Sequence, residues 1–192
     1  ADAKLADYLG QAEQGCRRAR DLIQQMLAFS RGRHAERRSL PLAALLDESL
    51  RLLRATFPSS IALEVESADE TAVADVDPVQ LQQVLLNLGI NARDAIGSAG
   101  RIRFGVRREA VASHRCASCD QPFSGVFSRL WVADSGPGIP PQLRARIFEP
   151  FFSTKAPGRG TGMGLATVHR IVHEHGGHLL VETDAGTRFD VL

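Results

Sequence analysis

One segment constrains the fold more than any other, because a single helix there needs two different environments. Asp77 and Pro78 predict a helix start, as cap and first helical residue, and the helical pattern runs to about Ile96 before Gly97. The apolar residues that require burial are Leu81, Val84, Leu85 and Leu88. The polar residues that share another face, at i, i+4 and i+7, are Asn87, Asn91 and Asp94. The pattern predicts a helix between a core and a cleft, with an ordinary solvated face as the alternative.

The other elements predict an α+β fold. Apolar spacing predicts further helices at residues 42–57, 142–148 and 163–175, and strands at residues 61–66, 101–108, 127–133, 178–182 and 187–192. Helices and strands mix without regular βαβ alternation, so we expect a two-layer α/β sandwich with a mixed, mostly antiparallel sheet. The length of 192 residues suits one ordinary domain with a small appendage.

That appendage is a long amphipathic helix, predicted from Leu5 to about Arg31 with a single apolar stripe. One stripe with no partner helix beside it in sequence requires a partner from elsewhere. A polar, glycine-containing stretch at residues 31–38 then breaks the pattern. We therefore expect a helix in residues 1–36 and a separate domain in residues 37–192.

Charge and composition exclude several classes of partner. Lys and Arg number 23 and Asp and Glu 22, so no bulk field attracts the chain to nucleic acid or to a membrane. No apolar run approaches the length of a membrane-spanning helix, and the first residues carry no signal-peptide pattern. Three cysteines are too few for a disulfide framework. We expect a cytoplasmic fragment without direct membrane contact, although a membrane anchor of the full-length protein can lie upstream.

A strand that runs into a glycine-rich turn suggests a pocket for a base. The strand ends at Asp134, and the turn that follows contains Gly136 and Gly138, which allow close approach of the backbone. A carboxylate at this place can accept a hydrogen bond from an exocyclic amine, as on adenine. An ordinary Asp-Ser-Gly turn is the alternative.

Two further segments have features of a phosphate site. Phenylalanines surround Pro150 in residues 147–155, which can be a core cluster, and Lys155 beyond them can reach a terminal phosphate as a point charge. Alternate glycines from Gly158 to Gly164 precede a helix, where free backbone N–H groups can cradle phosphates, with a flexible loop as the alternative. The spacing matches neither the dinucleotide fingerprint nor a Walker A loop.

In their order and spacing, the four segments resemble the N, G1, F and G2 boxes of sensor histidine kinases, within the superfamily shared with gyrase and chaperone ATPases. The N box corresponds to residues 87–94, the G1 box to 134–138, the F box to 148–152 and the G2 box to 160–164. The resemblance covers roughly residues 40–192. It implies an α/β sandwich of the Bergerat type, with ATP held between helices and under a flexible lid.

The resemblance implies roles residue by residue. Asn91 corresponds to the Mg²⁺-binding asparagine, with Asn87 as its polar support near the phosphates. Asp134 corresponds to the aspartate that binds the adenine amine, helped through water by Thr187. Lys155 is similar to the lysine of the nitrogen-regulator-like subgroup and joins the two asparagines as a candidate catalytic residue. The other residues expected at ATP are Asp94, Gly136, Gly138, Ile139, Phe152, Gly160, Thr161, Gly162, Met163, Gly164 and Leu165.

The resemblance also implies partners. The helix from Leu5 to Arg31 resembles the second helix of a dimerisation and phosphotransfer hairpin, which implies a homodimer through these helices. In the family, the acceptor histidine lies on the first helix, which has no counterpart in this sequence. We expect ATP and ADP as ligands, and relay of the phosphoryl group to the receiver domain of a response regulator.

Two other functions compete with a histidine kinase. A hydrolysing ATPase of the gyrase type carries a glutamate base one turn before the metal asparagine, where this chain has Asn87, so hydrolysis lacks its obvious base. A non-catalytic nucleotide-binding or dimerisation scaffold is the other candidate. The intact Asn91, Asp134 and lid glycines argue against it.

A Cys-x-x-Cys pair stands outside the nucleotide motifs. Cys116, Cys119 and the nearby His114 supply three possible zinc ligands and lack a fourth in sequence. A reduced pair at a loop tip, a ligand from another chain and redox sensing are the alternatives. The histidines around the last helix match a packing and helix-end pattern, with metal ligation as the alternative: His169, His173, His175 and His178.

Overall fold

Residues 36–155 and 160–192 are described by a computed structural model. The strands are β1 (Arg38–Pro41), β2 (Ile61–Ala68), β3 (Val73–Val76), β4 (Gly100–Arg115), β5 (Pro122–Asp134), β6 (Leu179–Glu182) and β7 (Thr187–Val191). The helices are α1 (Leu42–Thr56), α2 (Pro78–Ile96) and α3 (Gly164–Glu174), with a 3-10 turn at Pro141–Leu143. The predicted helix from Leu5 to Arg31 lies outside the described residues.

The main sheet has five strands in the order β2-β4-β5-β7-β6, and only β2 and β4 pair in parallel. A separate antiparallel ribbon pairs β1 with β3. The predicted α+β sandwich with a mostly antiparallel sheet is therefore confirmed. The sequence pattern missed β1 and β3, because their four residues mix apolar with polar or proline residues, whereas β6, which is equally short, has the apolar run Leu179–Val181.

Two predicted elements differ from the structure in extent. The predicted strands at 101–108 and 127–133 are the inner parts of a longer hairpin, β4 and β5, of 16 and 13 residues. The predicted helix at 142–148 is wrong: a 3-10 turn is followed by further turns. These turns bury Ile147 and Phe148, and the Phe148 ring packs edge-on against Phe189.

The helix α2 forms where its local signals predict. The Asp77 carboxylate accepts hydrogen bonds from the backbone N–H groups of Val79 at 2.8 Å and Gln80 at 3.1 Å. At the other end, Gly97 has a φ of 82°, a conformation that favours glycine. The predicted apolar face is buried in the layer between α1, α3 and the sheet: Leu81, Val84, Leu85 and Leu88.

An ion pair inside the sheet fixes the register of β5 and β7. Arg129 Nε donates to Asp190 Oδ1 at 2.7 Å, and Arg188 Nε donates to the same oxygen at 2.9 Å. Asp190 is fully buried, so the loss of either arginine would leave a poorly compensated charge. In this register Asp134, the last residue of β5, lies opposite Thr187.

Candidate functional site

Asp134 is held by backbone groups from two sides. Its Oδ1 accepts hydrogen bonds from the N–H of Gly136 at 2.8 Å and of Thr187 at 3.3 Å. A side chain at position 186 would not fit, because a Cβ on Gly186 would lie 1.9 Å from the Asp134 carbonyl oxygen, and the φ there is 104°. The turn before β7 therefore packs directly on the residue predicted to bind adenine.

The Asp134 carboxylate keeps acceptor capacity despite its burial. The residue is 6% exposed, and burial raises the pKa of the carboxyl although hydrogen bonds from Gly136 and Thr187 oppose the shift. An ionised carboxylate offers about four acceptor positions, and the two backbone N–H groups take only part of them. The group can accept from an amine, and it repels a carbonyl oxygen at the same place.

The polar face of α2 meets the beginning of α3. Asn87 and Asn91 are both half-buried on this face. A Cβ on Gly164, the first residue of α3, would lie 3.5 Å from Asn91 Nδ2. No side chain caps this helix end, so the N–H groups of its first turn and the positive end of the helix dipole can attract an anion.

Lys155 reaches the same face of α2 through an ion pair. Its Nζ lies 2.6 Å from Asp94 Oδ2, and Arg93 Nη2 lies 2.7 Å from Asp94 Oδ1. Burial raises the pKa of the Asp94 carboxyl, but Lys155 and Arg93 outweigh burial and hold the pKa below its usual value. Asp94 is therefore ionised and holds Lys155, the only lysine in the predicted motifs, by an ion pair.

The glycine-rich loop folds against the segment that carries Lys155. Gly162 has a φ of 67°, and a Cβ on it would lie 2.3 Å from the Phe151 carbonyl carbon. A Cβ on Gly160 would lie 3.0 Å from Lys155 Cδ. Larger residues at either position would push the loop away from Lys155. The loop residue Gly158 lies outside the described residues.

The apolar residues of the predicted site divide between core and surface. Phe148 is buried, as the core interpretation predicts, whereas Phe151 is 76% exposed. Phe152, Ile139 and Leu165 are partly buried against the core, and the Arg146 guanidinium lies 4.5 Å from the centroid of the Phe152 ring. Contact of these three residues with a nucleotide stays a prediction.

The four predicted segments converge around one helix. A Cβ on Gly136 would lie 3.2 Å from the Ala95 carbonyl carbon, so the turn after β5 lies against the last turn of α2. The contacts of Gly164 with Asn91 and of Lys155 with Asp94 bring in the other segments. The sequence did not indicate that Arg93 pairs with Asp94 or that the Ala95 backbone contacts the turn at Gly136. The only signal for either residue was its position beside Asp94. That the assembled residues bind ATP stays a prediction.

A second group of reactive side chains lies at the other end of α3. The Sγ atoms of Cys116 and Cys119 and one ring nitrogen each of His173 and His178 all lie within 4.8 Å of one another. His114 was predicted as a ligand, and this prediction is wrong, because His114 does not belong to the group. It is exposed on β4, and its ring contacts Phe123 at 6.2 Å between centroids.

The two cysteines differ in their electrostatics. Burial raises the pKa of the Cys116 thiol, but hydrogen bonds from the Ser118 hydroxyl and from backbone N–H groups, that of Leu179 at 3.4 Å among them, lower it to about 6. For Cys119, burial raises the pKa, and the neighbouring Cys116 raises it further. Desolvation lowers the pKa of His173, which favours the neutral imidazole.

The chain is similar to one large group of ATP-binding proteins. A family model for histidine kinase-, DNA gyrase B-, and HSP90-like ATPases matches residues 76–192. Sensor kinase CckA of Brucella abortus is 34% identical over 187 residues, which make up 97% of this chain and 20% of that kinase. The chain thus spans about a fifth of the length of this curated relative.

Solved structures of two histidine kinases share the fold. ThkA, solved in complex with the response regulator protein TrrA, has a TM-score of 0.72 and 25% identity, and the match covers 96% of this chain and 49% of ThkA. Full-length ShkA, solved in complex with AMPPNP, has a TM-score of 0.69 and 28% identity, over 89% of this chain and 34% of ShkA. In residues 36–155 and 160–192, no helix combines the length and apolar character that a membrane span requires.

Proposed function

We propose that this chain transfers the γ-phosphoryl group of ATP to a histidine on a phosphotransfer helix. The chain belongs to the family of histidine kinase-, DNA gyrase B-, and HSP90-like ATPases, and within it to the catalytic domains of sensor histidine kinases. The observation that carries it is the meeting of Asp134, Asn91 and the N-terminus of α3 around α2.

Asp134 selects adenine in this proposal. Its carboxylate accepts a hydrogen bond from the exocyclic amine, while Gly136 and Thr187 hold Oδ1 in place. Thr187 assists through a water molecule, as the family resemblance implies. A guanine presents a carbonyl oxygen instead of the amine, so its binding would place two acceptors against each other.

Asn91 binds Mg²⁺ together with the phosphates, and Asn87 supports it one turn earlier. Amide oxygens are hard ligands, and Mg²⁺ usually keeps several waters and takes further oxygens from phosphates. When bound, the ion neutralises phosphate charge. The residues fit this ion, because the Asn91 amide faces the uncapped end of α3 across the space that Gly164 leaves free.

The γ-phosphate is held by the glycine-rich loop and by Lys155. Backbone N–H groups around Gly160, Gly162 and Gly164 donate to phosphate oxygens, and Lys155 exchanges Asp94 for the terminal phosphate. In the transfer, the bond from γ-phosphorus to the bridging oxygen breaks, ADP leaves and a phosphorus–nitrogen bond to the imidazole forms. The protein contributes positioning and charge neutralisation.

The proposed partners are a second copy of the protein and a response regulator. The complex of ThkA with TrrA supports a response-regulator partner for this chain, and the AMPPNP complex of ShkA supports an adenine nucleotide. Dimerisation through the phosphotransfer helices is proposed from the resemblance of residues 1–36 to the second helix of a dimerisation hairpin. A cytoplasmic location is proposed from the small number of cysteines, which suits a reducing compartment.

The test is a phosphotransfer assay with radiolabelled Mg-ATP, this chain, and a dimerisation hairpin of a related sensor kinase that carries its acceptor histidine. We expect acid-labile, alkali-stable label on the hairpin. Asn91→Ala should abolish the label, whereas Gln82→Ala, which replaces an amide on the far side of α2, should retain it. Release of inorganic phosphate without a labelled hairpin would instead indicate a hydrolysing ATPase, and nucleotide binding without either product would indicate a scaffold.

A further inference from the structure

We propose that Cys116, Cys119, His173 and His178 form a structural zinc site, which lies outside the nucleotide site and takes no part in its chemistry. One ligand atom from each residue lies within 4.8 Å of all the others. Four ligands around a tetrahedral zinc ion are separated by about 3.3–3.8 Å, given zinc–sulfur bonds of about 2.3 Å and zinc–nitrogen bonds of about 2.0–2.1 Å. The distance of 3.7 Å between Cys116 Sγ and His173 Nε2 already falls in this range.

The fold builds this group from two distant parts of the chain. The turn between β4 and β5 carries both cysteines and is closed by hydrogen bonds from Asp120 N to Cys116 O and from Cys116 N to Gln121 O, both 2.9 Å long. His173 belongs to the last turn of α3, and His178 directly precedes β6. A backbone hydrogen bond of 2.7 Å from Ala117 N to Leu179 O joins the two parts beside the cluster.

The surroundings of the ligands suit a metal-bound thiolate. The backbone N–H of Leu179 points to Cys116 Sγ at 3.4 Å, so the sulfur already accepts a hydrogen bond as a thiolate would. The Phe123 ring stacks on the His178 ring at 4.3 Å between centroids and 7° between planes, which fixes the orientation of that imidazole. His178 Nδ1 is buried and has no hydrogen-bond partner among the described residues.

The ligand set selects the metal class. Two thiolates with two imidazoles are soft and borderline ligands that favour zinc over magnesium or calcium. Four protein ligands leave no open position for a substrate, so the ion would be structural. Its role would be to tie the tip of the β4–β5 hairpin to the end of α3.

The experiment measures zinc on the whole chain, purified in reducing buffer and reconstituted with zinc chloride. We expect about one zinc per chain, retained after desalting. Cys119→Ser and His178→Ala should each lower zinc affinity at least tenfold. His114→Ala and Cys16→Ser are the matched controls, one histidine and one cysteine that are not among the four proposed ligands, and both should keep the full stoichiometry.

Cobalt substitution of the unmodified chain gives a second measurement that does not depend on folding of a variant. A Cys₂His₂ site should give the strong visible absorption of tetrahedral cobalt together with thiolate charge-transfer bands in the near ultraviolet. The proposal is overturned if the reconstituted chain retains no zinc, if the cobalt form lacks the thiolate bands, or if His114→Ala loses as much zinc as His178→Ala.

Discussion

The two ends of helix α3 lie beside two chemically different groups of residues. At its N-terminus, Gly164 faces the Asn91 amide, and the backbone N–H groups of the first turn have no side-chain cap. Near its C-terminus, His173 meets the two cysteines of the β4–β5 turn. In the two proposals, the first end would supply hard oxygen ligands and helix-end N–H groups for a phosphate and its ion, and the second end would supply softer ligands for zinc.

The two ends of α3 also differ in whether protein groups alone fill the proposed ligand positions. At the proposed nucleotide end, a Cβ on Gly160 would lie 3.0 Å from Lys155 Cδ, and the start of α3 has no side-chain cap, so a ligand can complete this end. At the cysteine end, four candidate ligand atoms lie within 4.8 Å of one another, and hydrogen bonds close the turn. If both proposals hold, one helix serves an exchanging ligand at one end and a permanent ligand at the other. The two ends should therefore respond independently to substitution.

The largest effect is expected for Asn91→Ala. Loss of the amide removes the proposed Mg²⁺ ligand, so phosphotransfer should fall by at least about 100-fold. Zinc content should stay unchanged, because the cysteine cluster lies at the other end of α3. Titration calorimetry with ATP, with and without Mg²⁺, checks the assignment, with Gln82→Ala as the control. Undiminished Mg-ATP affinity would remove Asn91 from the metal site.

Asp134→Asn should lower the affinity for ATP by tenfold or more, because an amide can present a hydrogen-bond donor where the carboxylate only accepts. GTP binding should change little. The measurement is therefore the ratio of the ATP affinity to the GTP affinity, compared between the variant and the parent chain. The raised pKa of Asp134 adds a pH signature: protonation removes the acceptor, so ATP affinity should fall with decreasing pH at values above 3.8, the ordinary pKa of an aspartate. An identical pH profile in Asp134→Asn would contradict this role.

Removal of zinc should act on the fold and leave the nucleotide end alone. With free zinc at about 100 times its Kd, the ion contributes about 2.7 kcal/mol, which for a chain of this size corresponds to a Tm shift of about 5–10 °C. The Kd for Mg-ATP should stay within about twofold. Calorimetry before and after zinc removal, with the chelator itself removed by desalting before Mg-ATP is added, measures both quantities. A large loss of ATP affinity would then show that the two ends are coupled.

Lys155→Ala should have the smallest effect, a loss of roughly threefold to tenfold in ATP affinity, because a partly exposed charge contributes little. The loss should shrink with rising salt, since screening weakens the contribution of the lysine in the parent chain. Lys4→Ala is the matched control, as the only other lysine in the chain. Equal effects of the two substitutions would argue against a phosphate contact for Lys155.

That the four nucleotide motifs meet around α2 could be predicted from sequence, whereas the cysteine cluster could be predicted only in part, for a physical reason. The cap at Asp77, the asparagine face of α2 and the glycines before α3 are local signals, each complete within one element. The cluster joins Cys116 to His173 through a contact between distant segments. Spacing therefore connected the nearer His114 to the cysteines, and it could not connect His173 or His178 to them although metal ligation was an alternative for both. The strands β1 and β3 were missed because polar residues and Pro41 interrupt their apolar residues, whereas the equally short β6 could be predicted from a continuous apolar run.

The most direct test of the nucleotide site is calorimetric titration of this chain with ATP and with GTP, each with and without Mg²⁺. Saturable binding that prefers ATP and strengthens with Mg²⁺ is the predicted result, because in the proposed site Asp134 recognises the adenine amine and Asn91 binds the ion. Equal affinity for the two nucleotides, or ATP binding that ignores Mg²⁺, would contradict the proposed site.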